Sequence, residues 1–353
     1  MRVINFRSDN EAPVAPEIMA AISNVNHGSA YSYGADAVSA QLSQKFSRLF
    51  ECDVLVFPVA TGTAANALAL GHVTPPYGAI YCGEQAHVYV DECGAAGFYA
   101  GGAMIRTLAD VEGKITPEVF AQALSDYGAH GDHEAQPAAL TVAQTTECGT
   151  LYKPDELSVL AKIANQHGMV LHMDGARFAN AVSALGCAPA DITWRVGVDV
   201  LSFGATKNGA LAAEAVIFFR PDLAIEFGRQ RMRGGHLLSK MRYVSAQLTA
   251  YIEDSLWLSL ASRANYAAQQ LASGLSKLRG VEMCYPVEGN ALFACLPEVM
   301  IEGLIEDGFL FHRWPGRKGM VRLMCPYTLS EQDIDCFLEA AGSRVSDIEI
   351  GGG

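Results

Sequence analysis

The sequence predicts an α/β fold, with a large domain on a mostly parallel sheet flanked by helices and a smaller C-terminal α+β domain. Three observations predict it. Short, continuously apolar runs alternate with helical patterns between about residues 40 and 235, as strands covered on both faces do. Small polar motifs follow three of those runs, at the strand ends where ligands bind in such sheets. Beyond about 235 the alternation gives way to a long helical stretch and a few short strands. At 353 residues the chain exceeds the size at which a single core stops growing. The expected division is an N-terminal segment over 1–20, a large domain over 21–240 and a small domain over 241–353.

The elements follow in order. Residues 1–20 read as irregular, with Pro13 and Pro16 breaking regular structure. Val54-Leu55-Val56-Phe57 is an apolar strand, and Thr61-Gly62-Thr63 turns it into a helix over 64–70. Ala79 to Cys82 is a second strand, with a helix expected from Asp91, and Ala138 to Val142 a third. Pro154 to Gln166 is an amphipathic helix that starts on proline and stops at Gly168. Residues 169–173, 199–203 and 214–219 are further strands. A helical stretch over 239–278 precedes strands at 281–284, 291–296 and 320–324, and a last helix spans 331–341.

Half of the residues are hydrophobic and 18% are charged, the composition of a well-packed globular chain. The net charge of −13 argues against nucleic acid or an acidic membrane as partner, since both need a cationic face. No apolar run is long enough to span a bilayer and the first ten residues carry no signal-peptide core, so a cytoplasmic protein is expected. The nine cysteines are scattered, odd in number and without a CxxC, and read as small hydrophobes in a reducing compartment. No metal-ligand set is expected.

The most informative pair is Asp174 and Lys207. Each follows an apolar strand, Asp174 in Asp174-Gly175-Ala176-Arg177 and Lys207 in Gly204-Ala205-Thr206-Lys207-Asn208-Gly209. An acid and then a lysine at successive strand ends fit a pyridoxal 5'-phosphate site, the lysine as Schiff-base former and the acid holding the pyridinium nitrogen protonated. Taken singly, each has a plainer reading: Lys207 as a surface lysine, Asp174 as the cap of a helix beginning near Ala176. Gly62 and Thr63 open a helix whose backbone N–H groups make an anion site suited to a phosphate. His87, on the ligand edge after the second strand, is placed to stack on a pyridine ring and to serve as acid or base, although a lone histidine is more often structural. Arg177 and Arg322 are either surface ion-pair formers or bidentate clamps for a substrate carboxylate.

These residues, in this order, resemble the L-threonine aldolases within the fold type I pyridoxal phosphate enzymes, the β-eliminating lyase-like group. The resemblance runs from Phe6-Arg7-Ser8-Asp9-Asn10 and Tyr31-Ser32-Tyr33-Gly34-Ala35-Asp36 through Thr61-Gly62-Thr63-Ala64-Ala65-Asn66 and His87 with Asp91-Glu92. It continues through His172 to Arg177 and Phe203 to Gly209, and ends at Val321-Arg322-Leu323. It implies retro-aldol cleavage of L-threonine, L-allo-threonine or related L-β-hydroxy-α-amino acids, L-phenylserine among them, to glycine and an aldehyde. Lys207, His87 and Asp174 would be catalytic. Gly62, Thr63, His87, Asp174, Arg177 and Lys207 would hold the cofactor, and Ser8, Tyr33, Arg177 and Arg322 the substrate. Tyr33 would reach a neighbouring subunit's site in a homotetramer, a dimer of dimers. The basic run Arg229 to Arg233, or Lys240, is a candidate for a cross-subunit phosphate contact. Many family members carry a second active-site histidine where this chain has Gln144-Thr145-Thr146-Glu147, and Thr146 is read as its replacement. Another fold type I enzyme (an aminotransferase or α,β-eliminating lyase), an idle scaffold of the same fold, and a nucleotide-binding α/β protein are the alternatives. The last lacks any glycine-rich nucleotide loop.

Overall fold

The computed structural model describes residues 3–125 and 127–350. Its centre is a seven-stranded sheet of Leu55–Val59 (β1), Gly78–Gly83 (β2), Met104–Leu108 (β3), Gln136–Ala143 (β4), Val170–Gly175 (β5), Val200–Gly204 (β6) and Glu214–Phe218 (β7). The order across the sheet is β1-β7-β6-β5-β4-β2-β3. Only β7 is antiparallel to its neighbours. Apolar residues alternate between two buried layers. In β7, Ala215 and Ile217 join the larger core, while Val216 and Phe218 pack on the opposite face with Val59, Val170 and Val200. Such strands must be apolar on both faces, which is why they read as continuous runs.

The helix Gly62–Val73 is buried at every position from Ala64 to Leu70. Small alanines let it lie deep against the sheet, and its N-terminus points to the carboxyl ends of the parallel strands. The helix Pro154–Gln166 has the bounds its sequence predicts, with Pro154 at its first position. Pro16 does not break structure: it opens a helix, Pro16–Asn24, where a missing N–H costs nothing. No helix starts at Asp91; two short ones, His87–Val90 and Ala95–Tyr99, flank it. The helix after Asp174 begins at Phe178 rather than Ala176.

The stretch 239–278 is two helices, Arg242–Ile252 and Leu256–Leu275, separated where Asp254 and Ser255 take left-handed backbone angles. Leu256–Leu275 bridges two cores: Trp257, Leu260 and Ala261 belong to the larger, Ala267, Ala268, Leu271 and Leu275 to the C-terminal one. There, Glu282–Met283, Ala291–Cys295, Met320–Met324 and His312–Arg313 form an antiparallel sheet in that order. The chain start is woven into this part: Ile4–Asn5 pairs in parallel with Phe309–Leu310, and Phe6 packs edge-on to Phe337. Among the described residues no helix is long and apolar enough to cross a membrane.

Candidate active site

The ends of β5 and β6 approach unusually closely because both are glycines. A Cβ on Gly204 would lie 2.5 Å from the Ala176 carbonyl oxygen, and one on Gly175 would lie 2.7 Å from the Ser202 carbonyl oxygen. With no side chains between them, the two turns place Asp174 and Lys207 in the wall of one cavity of about 450 Å³. Thr61, Gly62, Thr63, Asn66, His87, Glu92, Glu147, Arg177 and Glu214 also line it.

Asp174 combines its two readings. One carboxylate oxygen accepts the Ala176 N–H at 3.0 Å and fixes the turn, while the other accepts the Asn66 side-chain amide at 2.7 Å. The same amide nitrogen donates to Glu92 at 2.9 Å, and Glu92 lies 2.8 Å from His87 Nδ1. The hydrogen bond to Glu92 pushes the His87 imidazole up from its ordinary value, against the effect of burial. Ligand atoms of His87, Glu92 and Asp174 lie within 4.8 Å of one another. The Asn66 amide bridges the two acids, and the imidazole pairs with Glu92. Below them, His172 is fully buried between the Thr141 hydroxyl at 2.8 Å and the Ser202 hydroxyl at 2.9 Å. Burial lowers it to about 4, so it crosses three strands as a neutral ring.

Lys207 sits on a single turn, Thr206–Asn208, anchored by the Asn208 amide on the Tyr251 hydroxyl and the Trp257 carbonyl. Burial, with the nearby Arg177 charge, lowers its pKa, the direction a nucleophilic amine needs. Glu214, at the start of β7, lies beneath the turn and accepts the Ala205 N–H at 3.0 Å. Burial pushes its carboxyl up to about 7. Arg177 is clamped by Asp9 through two hydrogen bonds of 2.7 and 2.9 Å.

A second, contiguous chamber of about 200 Å³ shares Lys207, Arg177, His87 and Glu147 with the first. Its far wall is Arg322, Ser8, Tyr285, Phe293 and Trp314. The Arg322 guanidinium lies over the Trp314 ring, 4.5 Å from its centre, and donates to the Arg7 carbonyl at 3.0 Å.

Residues 5–296 match the beta-eliminating lyase family. The chain belongs to that family. It is 41% identical over 326 residues to a low specificity L-threonine aldolase of a Pseudomonas strain, covering 92% of this chain and 93% of that protein. It is 40% identical over 338 residues to the enzyme of the same name from Pseudomonas aeruginosa, covering 95% of each chain. Among solved structures, the threonine aldolase of Leishmania major superposes with a TM-score of 0.90 at 27% identity, over 97% of this chain and 99% of that one.

The beta-eliminating lyase family uses pyridoxal phosphate, and the cavity has the donor set that this group requires. A helix N-terminus offers the backbone N–H groups of Gly62 and Thr63 to an anion, and a Cβ on Gly62 would meet nothing within 4 Å. A buried carboxylate, an imidazole and a desolvated lysine stand around the remaining space. The helix cap itself is Thr61, whose hydroxyl accepts the Ala64 N–H at 3.1 Å. Ser8 lies in the chamber wall with its hydroxyl accepting the Asn10 N–H. Tyr33 is elsewhere, about half exposed beside Ser239. Arg231 donates to the Pro58 carbonyl at 3.2 Å, just before the Thr61 turn. The Thr146 hydroxyl is engaged with Thr150 at 2.8 Å, and the acidic group beside it, Glu147, accepts the His87 N–H. Asp9, Asn66, Glu92 and Glu214 have no site role in the sequence reading. For Asn66 and Glu214 the available signal was a polar residue inside an otherwise apolar run; Asp9 and Glu92 stand beside other polar residues and carry no such signal.

Proposed function

We propose that this chain cleaves L-threonine, L-allo-threonine and related L-β-hydroxy-α-amino acids to glycine and an aldehyde, as a pyridoxal phosphate-dependent aldehyde-lyase. The observation that carries this reading is the continuity of the two chambers. Lys207 lines both, with Asp174 on one side and Arg322 on the other. An amino acid held by its carboxylate at Arg322 therefore brings its amine and Cα to Lys207.

In this reading Lys207 holds the cofactor covalently, Asp174 its ring nitrogen, His87 its ring face, and Gly62 and Thr63 its phosphate. Bound there, pyridoxal phosphate supplies an electron sink for the pair left on Cα. Asp174, fixed by Asn66 and Ala176, presents its carboxylate to the cavity. Arg322 grips the substrate carboxylate, with Ser8 beside it, while Arg177 holds the floor of the site through Asp9. Trp314 stacked under Arg322 sets the direction of the guanidinium and so the angle at which the Cα–Cβ bond is presented. Lys207, whose pKa burial lowers, would give up its proton more readily than an exposed lysine, which suits exchange with the substrate amine and return of a proton to Cα.

The aromatic wall of Tyr285, Phe293 and Trp314 supports acceptance of an aryl β-substituent such as that of L-phenylserine. We further propose a cytoplasmic homotetramer in which Tyr33 enters a neighbouring subunit's site. Tyr31 and Tyr33 beside Ser239, and Leu211 beside Gln247, present exposed apolar surface in support. The separate C-terminal core supports two domains, but Met241, Val244, Leu248, Tyr251, Trp257 and Leu260 pack into the larger core, which favours a boundary within the helix Leu256–Leu275 over one at about residue 240; residues 1–20 contribute Phe6 to one core and Ile18 to the other.

The test is aldehyde release from L-threonine, L-allo-threonine and L-phenylserine by the cofactor-loaded protein, with Lys207→Ala alongside. Aldehyde from the wild type alone supports the reading. A coloured, cofactor-bound protein that releases none, and instead turns over 2-oxo acids or substrates with a β leaving group, moves the assignment to an aminotransferase or an eliminating lyase.

A further inference from the structure

The cleavage needs a group that takes the proton of the β-hydroxyl as the Cα–Cβ bond breaks. We infer that Glu147 is that group, from its place where the lysine and arginine chambers meet and from the prior commitments of the other acids and bases there. The inference rests on the aldolase reading of the site.

Glu147 follows β4 on the loop at the carboxyl edge of the sheet. It lines both chambers, as Lys207 does. A substrate that spans them, with its carboxylate at Arg322 and its amine at Lys207, carries its β-carbon across this junction. Among the described residues Glu147 makes no ion pair, and its Oε1 accepts one neutral donor, the His87 backbone N–H at 2.8 Å.

The other candidates are engaged. Both Asp174 oxygens are bonded, to Ala176 and Asn66. Glu92 is buried against Asn66 and the His87 ring, and lines only the inner chamber. Glu214 supports the Ala205 N–H under the lysine turn. The His87 ring is paired with Glu92, which favours its protonated form. The Thr146 hydroxyl is shared with Thr150. Asp91 also borders both chambers but is exposed to bulk water.

The electrostatic setting suits the task. The charged groups that face Glu147 are Asp174, His87, Arg177 and Lys207, with Arg322 across the second chamber. Although its side chain keeps solvent contact through the cavity mouth, the surrounding protein displaces enough water to push the carboxyl up to about 7, and the Asp174 charge adds to this. A base poised near neutrality accepts a proton readily and can give it up again.

The step balances. The β-O–H bond breaks and its proton goes to the Glu147 carboxylate. The oxygen's electron pair closes the aldehyde C=O as the Cα–Cβ bond breaks, leaving that bond's pair on Cα. Glycine forms when Cα takes up a proton, and Glu147 returns its own proton to solvent.

The experiment uses the cofactor-loaded wild type and Glu147→Gln. The variant should lose about 100-fold or more in kcat on L-threonine, together with the acidic limb of its pH profile. Exchange of the glycine α-proton with deuterated water uses the same lysine and cofactor but no β-hydroxyl, and should stay within about threefold of wild type. In cofactor-free protein, the infrared carboxyl signal that titrates near neutrality, to which Glu147 and Glu214 both contribute, should shrink by one group in the variant. Glu147→Ala supplies the second arm, in which added acetate should restore cleavage about tenfold or more. Cleavage by Glu147→Gln within about threefold of wild type overturns the inference, as does glycine exchange falling in parallel with cleavage. A wild type that releases no aldehyde, yet still exchanges the glycine proton, overturns the aldolase reading instead.

Discussion

Asp9 and Arg177 are 168 residues apart in the chain and meet as a two-pronged ion pair, Nε to Oδ2 at 2.7 Å and Nη2 to Oδ1 at 2.9 Å. The pair joins the N-terminal segment to the turn after β5, and the Asn290 amide donates to the same carboxylate at 3.2 Å. Burial alone would raise the Asp9 carboxyl, but Arg177, Lys207 and Asn290 together outweigh it and hold the acid below its usual range. Removing one partner of a buried pair leaves the other charge uncompensated. Asp9→Ala should therefore cost roughly 3–5 kcal/mol in urea unfolding. A loss under about 1 kcal/mol would mean that water replaces the carboxylate.

Gly204 is a packing requirement of the site. Gly204→Ala would drive a methyl into the Ala176 backbone at 2.5 Å, and the backbone must shift to accept it. The expected result is about 1–3 kcal/mol of destabilisation, with weakened cofactor binding because Asp174 and Lys207 are pushed apart. Thermal unfolding and a cofactor titration read the two effects separately.

Glu214 makes stability depend on pH. Its folded pKa of about 7 lies above its ordinary 4.5, chiefly through burial, with Thr206, Ala205 and Lys207 opposing. The stability it contributes is fully present below about pH 4.5 and is lost as pH rises towards 7. Glu214→Gln keeps an acceptor for the Ala205 N–H but cannot ionise. Cofactor-free wild type should therefore lose stability relative to this variant between pH 5 and 8, by on the order of 3 kcal/mol at most. A constant difference across that range would show that Glu214 does not titrate there.

Arg322 and Trp314 should separate substrate binding from cofactor binding. Arg322→Ala removes the charge at the carboxylate end and should raise KM for L-threonine about 30- to 100-fold, as expected for a hydrogen bond between charged groups. The cofactor should stay bound. Trp314→Ala should cost less on threonine than on L-phenylserine, whose ring would pack against the aromatic wall. Loss of cofactor from Arg322→Ala would place that arginine at the phosphate instead.

The elements legible in the sequence are those that announce themselves locally. The helix at Pro154 carries its own start and stop signals, and β5 and β6 are apolar on both faces. Asp174 and Lys207 stand out because each ends such a run. The edge strand Met104–Leu108 was missed because only one side of it is paired, so Arg106 and Thr107 interrupt the apolar pattern. Pro16 was misread because the same ring that breaks a helix interior suits its first position. Asn66 looks like an ordinary helical residue until packing sets its amide between two acids. Glu147 and Thr146 are neighbours on one loop and both line the cavity, and only the fold ties the Thr146 hydroxyl to Thr150.

The strand Ile4–Asn5 waits for Phe309–Leu310. On a ribosome adding about 5–20 residues per second, that wait is roughly 15–60 seconds. Throughout it Phe6 lacks the aromatic partner it meets at Phe337, and the segment that carries Asp9 to Arg177 is held only on its far side, where Ala15 and Ile18 join the larger core. A chain stalled before its last fifty residues would therefore display the complete central sheet without the Trp314 and Arg322 wall of the second chamber. The order of synthesis itself finishes the lysine chamber before the arginine wall that faces it.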